Sequence, residues 1–185
     1  MNEPLTDGRR LKGERRRQEL IEATLRVVAK DGVSGVSHRT VAREAGQPAT
    51  AAAYYFDGID DLLTAALTSC MDEDADRMRR LAEAVDGGAD SIRLLADLMA
   101  EVIRDPRRLL AEYELYLLAA RDERLRGPTD RWLTAVAEFA RRHTDDPVRV
   151  QTVVATVDGL MLQALLTDQP STSAQFEAVL RLLLP

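Results

Sequence analysis

The sequence predicts an all-α protein: an N-terminal three-helix unit containing a helix-turn-helix, joined by a fourth helix to a larger helical domain. Three observations predict it. No stretch sustains the apolar–polar alternation of a strand, and the helix formers Ala, Leu, Arg and Glu dominate the 185 residues. From Leu20 onward apolar residues return at helical spacing. A Gly-Gln-Pro break at 46–48 separates two short helical segments, the spacing of a helix-turn-helix.

The elements follow in order. Residues 1–13 are polar and basic and read as a flexible arm. The first helix spans Glu14 to Lys30, with Leu20, Ile21, Ala23, Thr24, Leu25, Val27 and Val28 as its inner stripe, and Gly32 ends it. Ser37 caps a short second helix from His38 to Ala45, which Gly46 stops. Pro48 suits the first position of the third helix, because its missing N–H would be unpaired there anyway, and that helix closes at Tyr55. Asp57-Gly58 breaks the chain, so 14–58 is the first domain and 59–185 the second. Asp60 and Asp61 stand in the first turn of the fourth helix, where the dipole favours them, and that helix runs to Ala84. "VDGGADS" is a linker. Five helices follow, over Ser91–Arg104, Arg107–Arg124, Asp130–His143, Pro147–Thr167 and Ser173–Leu184.

The totals bound the function. The chain is 45% hydrophobic and 30% charged, enough to fill a core and stay soluble. A single cysteine, Cys70, fits a reducing cytoplasm, and neither a secretory signal nor a membrane span is legible. The net charge of −6 conceals an asymmetry. Residues 1–56 hold ten Lys/Arg against seven Asp/Glu, six of the ten between Arg9 and Arg17; the acidic excess lies beyond them. Such a division suggests a nucleic-acid-facing end on a solvated body.

No enzyme chemistry is expected. His38, His143 and Cys70 form no metal-ligand cluster, and there is no nucleophile elbow or phosphate-cradling glycine loop. Neither catalytic residues nor a cofactor are therefore assigned. The acids of "MDEDADR", Met71 to Arg77, spread around a helix as a solvated face, and Cys70 reads as a buried bystander.

The third helix is the informative one. Ala49, Ala52 and Ala53 leave little to bury, whereas a recognition helix must approach base edges closely. Ala49, Thr50, Ala52 and Ala53 suit thymine methyls, and Thr50 and Gln47 can hydrogen-bond base edges. Tyr54 and Tyr55 suit phosphate, Phe56 plugs the small domain, and Pro48 and His38 flank the turn. Other readings remain: a core hairpin, a scaffolding module that offers Tyr54, Tyr55 and Phe56 to a protein partner, or a helical-bundle enzyme. Salt-dependent retention on DNA separates the scaffolding module from a DNA reader, and a turnover screen tests the enzyme.

"VSHRTVAREAGQPATAAAYYFDGIDDLL" resembles the DNA-binding signature of the TetR (tetracycline-repressor-like) transcriptional regulators, densely from Arg15 to Leu63. The rest is similar in architecture only. The resemblance implies a one-component repressor: a homodimer on palindromic double-stranded operator DNA, released by a small-molecule effector. The chain departs from the family at Gln47, often valine, at Ala53, often tyrosine, and at Ile59 and Asp60, where a lysine is common. The missing lysine points to Arg9, Arg10, Lys12, Arg15 and Arg16 as the compensating phosphate clamp, with Arg39 and Arg43 beside them.

In the body, Val150, Val153, Val154, Val157, Met161 and Leu165 share one broad face of the penultimate helix, and Phe176, Val179, Leu180 and Leu183 that of the last. They fit a four-helix dimer seam or burial within one subunit. Gly159 suggests a close helix crossing. Met99, Tyr113, Tyr116, Trp132 and Phe139, with Glu112 or Glu114, suit either an apolar ligand pocket or ordinary core.

Overall fold

The computed structural model describes residues 4–86 and 90–184. Among them are nine α-helices and no strand: α1 (Pro4–Asp31), α2 (His38–Glu44), α3 (Ala49–Tyr55), α4 (Ile59–Asp86), α5 (Ser91–Val102), α6 (Pro106–Leu118), α7 (Arg126–Arg141), α8 (Pro147–Ala164) and α9 (Ser173–Leu183). Gly87, Gly88 and Ala89 of the expected linker lie outside the described residues.

The first correction concerns the arm. From Pro4 onward it is helix, continuous with the rest of α1. Gly8 and Gly13 weaken this stretch most, at roughly 1 kcal/mol each relative to alanine. Ion pairs at i,i+4, Arg10 to Glu14 at 3.2 Å and Arg15 to Glu19 at 3.0 Å, return a few tenths of a kcal/mol.

Gly32 closes α1 with φ 71, and its N–H donates to the Val28 carbonyl at 2.9 Å. Ser37 caps α2 in a reciprocal box: Thr40 N–H donates to Ser37 Oγ, and Ser37 N–H to Thr40 Oγ1. The α2–α3 turn is a Schellman motif. Gln47 N–H donates to the Ala42 carbonyl, Gly46 N–H to that of Arg43, and Gly46 has φ 64, which disfavours a side chain. Pro48 stands at the cap of α3, one residue before the expected position.

The sixth helix is also shorter than expected. It ends at Leu118, and a 3-10 turn over Glu123–Leu125 leads into α7, which starts four residues earlier than expected. "GPT" does not interrupt α7, because Pro128 falls in its first turn, where the N–H would have no intrahelical partner. The Asp122 carboxylate accepts from Arg124 N–H and so holds the turn that separates the helices.

Two hydrophobic clusters form. The N-terminal one gathers Leu20, Val28, Val41, Ala52, Phe56, Leu62 and Leu67, and reaches past residue 58 to Ala111 and Leu115 of α6 and to Ala119 at its cap. The C-terminal one gathers Met78, Leu95, Met99, Leu109, Phe139, Val153, Val157, Phe176 and Leu180. Helices α4 and α6 contribute to both, and Trp132 packs against both.

Six residues offered for the dimer seam, Val150, Val153, Val157, Met161, Phe176 and Leu180, are buried inside the chain. The reason is that the strongest apolar stripe of each helix faces its own core. Val154, Leu165, Val179 and Leu183 are half-buried, and the outward leucines are Leu162, Leu166 and Leu182, the last two above 80% exposed. Gly159 makes no close crossing within the chain, since a Cβ there would meet nothing within 4 Å.

Candidate nucleic-acid interface and ligand pocket

Helix α3 is two-sided. Ala49, Thr50, Ala53 and Tyr54 are exposed, Tyr54 at 81%. Ala49 and Ala53, like Thr50 and Tyr54, stand four apart, so each pair shares a face. Ala52 is different: it is fully buried in the N-terminal cluster, which corrects its assignment to base contact. The inner face of a seven-residue helix packed on α1 and α2 needs a small side chain as much as the outer face does. Tyr55 is half-buried and lies edge-on to Tyr54, ring centroids 4.9 Å apart. Phe56 is buried, and the Arg17 guanidinium stands 4.9 Å from its ring centroid.

Gln47 is also committed elsewhere. Its Nε2 donates to the Arg16 carbonyl and to Glu19 Oε2, both at 3.0 Å, and so ties the turn to α1 instead of reaching outward. His38 is half-buried and its Nε2 has no protein partner. Pro48, Arg39 and Arg43 are exposed, as are Arg9, Arg10, Lys12, Arg15 and Arg16 along α1. The structure thus joins small outward side chains on α3 to arginines on α2, beside a basic α1. Small side chains admit a groove, and guanidiniums suit phosphate.

A cavity opens between α4, α5, α6, α7 and α8. Its enclosed volume is about 70 Å³, and with the open mouth included the space between its walls is about 640 Å³. Met99, Tyr113, Tyr116 and Trp132 line it as the sequence suggested, and Met71, Met78 and Met161 add further adaptable walls. Phe139 does not line it. That ring lies two turns beyond Trp132 on α7, fully buried, with the His143 ring 5.1 Å away.

The sequence reading missed two carboxylates of the lining, Asp74 and Asp158, which join Glu112. Asp158 Oδ1 accepts from Trp132 Nε1 at 3.1 Å, and Oδ2 from the Tyr116 hydroxyl at 3.3 Å; the Tyr113 hydroxyl donates to the Asp158 carbonyl at 2.8 Å. Burial raises the Asp158 pKa despite these donors, and burial with the nearby Asp158 charge pushes Tyr116 up to about 12. A "VDG" inside an apolar helix was the available signal for Asp158.

Glu112, 6% exposed, accepts from Arg108 Nε at 2.9 Å, and Arg108 Nη2 reaches Glu73 at 2.8 Å. Arg77 pairs with Asp74 at 3.3 Å and with Glu73. Burial, and next the Glu112 charge, push the Asp74 carboxyl up to about 7. Burial likewise raises Glu112 against the pull of Arg108. Glu73, by contrast, is held low: Arg108 and Arg77 outweigh its partial burial. Cys70 is buried, its thiol donating to the Leu67 carbonyl, and burial pushes its pKa up. Among the described residues no helix is long and apolar enough to cross a membrane.

Comparison with known proteins places both halves of the chain in one family. Residues 20–66 match the bacterial regulatory proteins of the tetR family, and residues 87–185 the tetracyclin repressor-like C-terminal domain. The multidrug binding protein EbrR, solved with imidazole, is 39% identical, with 92% of this chain and 95% of that one covered and a TM-score of 0.73. It has also been solved with ethidium, proflavin and malachite green. A TetR-family member from Streptomyces coelicolor A3 is 38% identical over 92% of this chain and 98% of that one, TM-score 0.76. The nicotine-responsive transcriptional repressor HdnoR of Paenarthrobacter nicotinovorans is 35% identical over 112 residues, 58% of this chain; the match spans only 56% of that protein.

The two sides of α3 make a stability test. Ala52→Glu forces a carboxylate into the core and is expected to cost about 3 kcal/mol or more. Ala53→Glu sits on the exposed side and should change stability by under about 0.5 kcal/mol. Melting curves of the two variants check this; equal melting temperatures would overturn the assignment of faces.

Proposed function

The chain belongs to the tetR family of bacterial regulatory proteins, and from that premise we propose that it is a homodimeric repressor working in the cytoplasm. Two copies set their α3 helices in major grooves of a palindromic operator and let go when a small molecule fills the cavity. Residues 14–58 serve as the DNA-binding domain, and 59–185 as the ligand-binding and dimerisation domain.

One observation carries the link between the sites. Helix α6 places Glu112, Tyr113 and Tyr116 on the cavity, while Ala111 and Leu115 belong to the N-terminal core. On the same helix Glu114 accepts from Val33 N–H at 3.1 Å, just beyond the end of α1. A ligand that shifts α6 therefore acts on α1, against which α2 and α3 pack.

On DNA, Ala49, Thr50 and Ala53 face base edges. Tyr54, Arg39, Arg43 and the basic face of α1 meet phosphates. Because α1 is helical from Pro4, its basic end extends as a rod.

The dimer seam uses the second stripe of α8. Ala155, Gly159 and Leu162 recur at i, i+4 and i+7, Leu166 follows in the turn just past the helix end, and all four retain exposed surface in the single chain. The space beside Gly159 leaves room for a partner helix, and Leu182 of α9 extends the face.

The effector is an aromatic cation. Three aromatic side chains and three carboxylates in a methionine-rich cavity suit one. Ethidium, proflavin, malachite green and protonated nicotine, named with the relatives above, share that chemistry.

Selection of fragments from random duplex DNA should yield a palindrome, and ethidium should release the complex. A protein that retains no duplex at low salt overturns the proposal. Ala53→Glu is expected to weaken operator binding by about 1–3 kcal/mol with normal melting. Deleting residues 1–12 should weaken binding to every sequence alike and flatten the slope of affinity against salt. For the seam, Leu166→Asp should sediment as a folded monomer, whereas Val157→Asp, changed inside the subunit, should unfold. A Leu166→Asp dimer would move the interface elsewhere.

A further inference from the structure

We infer that the cavity binds its cation in exchange for a proton: the Asp74–Glu112 couple shares one proton when the cavity is empty and releases it to solvent when the cation arrives. This rests on the cation reading of the cavity and adds a regulation to it.

Charge does not balance around the couple. At this end of the cavity, α4 contributes Glu73, Asp74 and Arg77, and α6 contributes Arg108 and Glu112, so three carboxylates meet two guanidiniums. Glu73 takes a share of both arginines, through contacts with Arg77 and Arg108. Its side chain is 45% exposed, against 18% for Asp74 and 7% for Glu112. The most solvated carboxylate thus draws on both counter-ions, and the two buried ones share what remains. An unbalanced negative charge in an apolar cavity is expensive, and the usual relief is protonation. The upward shifts of Asp74, raised by burial and next by the Glu112 charge, and of Glu112, raised by burial, agree with this.

The other walls do not supply the missing charge. Helix α5 lines the cavity with Leu95, Leu98, Met99 and Val102, and α7 with Trp132. Helix α8 brings Asp158, a further acid, whose carboxylate takes its hydrogen bonds from the neutral Trp132 and Tyr116. The hydroxyls of Tyr113 and Tyr116 and the thiol of Cys70, all with raised pKa, are neutral near pH 7. A bound cation supplies the positive charge the couple lacks, and the proton then leaves for the buffer. The count balances: one cation enters and one proton departs.

The consequence is a pH gate on induction. Below the titration of the couple, the cation must displace a bound proton, so its affinity falls about tenfold per pH unit. Above it, affinity is flat. An acidified cell would therefore hold the operator at effector levels that release it near neutrality.

Ethidium tests this, because its quaternary charge does not titrate between pH 5.5 and 8.5. Calorimetry of the intact protein at pH 6, in buffers of different ionisation enthalpy, should show release approaching one proton per cation bound. Affinity should rise about tenfold per unit at the acid end and level off towards pH 8.5. Asp74→Asn and Glu112→Gln, each checked by melting temperature, should bind more weakly and lose both the release and the slope. Asp158→Asn should keep both. Binding that is flat with pH and releases no proton overturns the exchange but leaves the cation reading intact. Release that survives in Asp74→Asn and Glu112→Gln and vanishes in Asp158→Asn also overturns it. No binding of ethidium at any pH overturns the cation reading and the exchange with it.

Discussion

The structure depends on one constraint: α6 is buried on two sides by two different cores. Thirteen residues must satisfy both. Ala111 and Leu115 fill the N-terminal cluster, and Leu109 the C-terminal one, while Tyr113 and Tyr116 reach Asp158 of α8. Asp105 caps the helix by accepting from Arg108 N–H, and Pro106 takes the first turn, so its start is fixed. Glu114 then accepts the N–H of Val33, a group that has left the α1 ladder. Close-packed interiors do not yield continuously. A helix wedged this way moves as a body or not at all, which is what coupling between a cavity and a distant surface requires.

The cavity is built at a cost that packing alone does not explain. Buried acids are poor contributors to stability, and apolar residues of similar size would serve a core better. Asp158 and Glu112 nevertheless stand in the lining, one held by a tryptophan and a tyrosine, the other by an arginine. Neutral donors orient a carboxylate without cancelling its charge. At Asp158 the lining therefore keeps an acid inside an apolar wall with no guanidinium beside it, an arrangement of low stability value.

Much of the fold was legible because it is written in punctuation. Gly32, Ser37, Gly46 and Asp57-Gly58 mark ends that local backbone chemistry enforces, and the structure puts its ends there. The "GPT" break misled because proline in a first turn is compatible with a helix, and the arm misled because its glycines are too sparse to stop one. The faces were harder. Helix α8 carries apolar residues nearly all round, so periodicity could not say which stripe turns inward; Val153 and Val157 went to the core and Leu162 to the surface. Asp74 hid within an acidic run whose other members, such as Asp72, Glu73 and Asp76, form surface ion pairs. Only its position on the helix, four residues from Cys70 and from Met78, turns it inward.

The alanines of α3 show the same limit at the smallest scale. Ala52 and Ala53 are adjacent, identical in composition and opposite in demand. Ala52, like Ala42 of α2, is fully buried, and two small residues let a pair of seven-residue helices come together across a four-residue link. Ala53 lies outward, where a larger side chain would stand between the helix and whatever surface it meets. One residue type answers both needs, so composition identifies the helix but not its sides. The sides are set by Gly46 and Gln47. The positive φ of the glycine and the two hydrogen bonds from the Gln47 side chain to α1 fix the rotation at which α3 leaves the turn. A residue first read as a reader of bases thus acts one step earlier, by deciding which alanines can read anything.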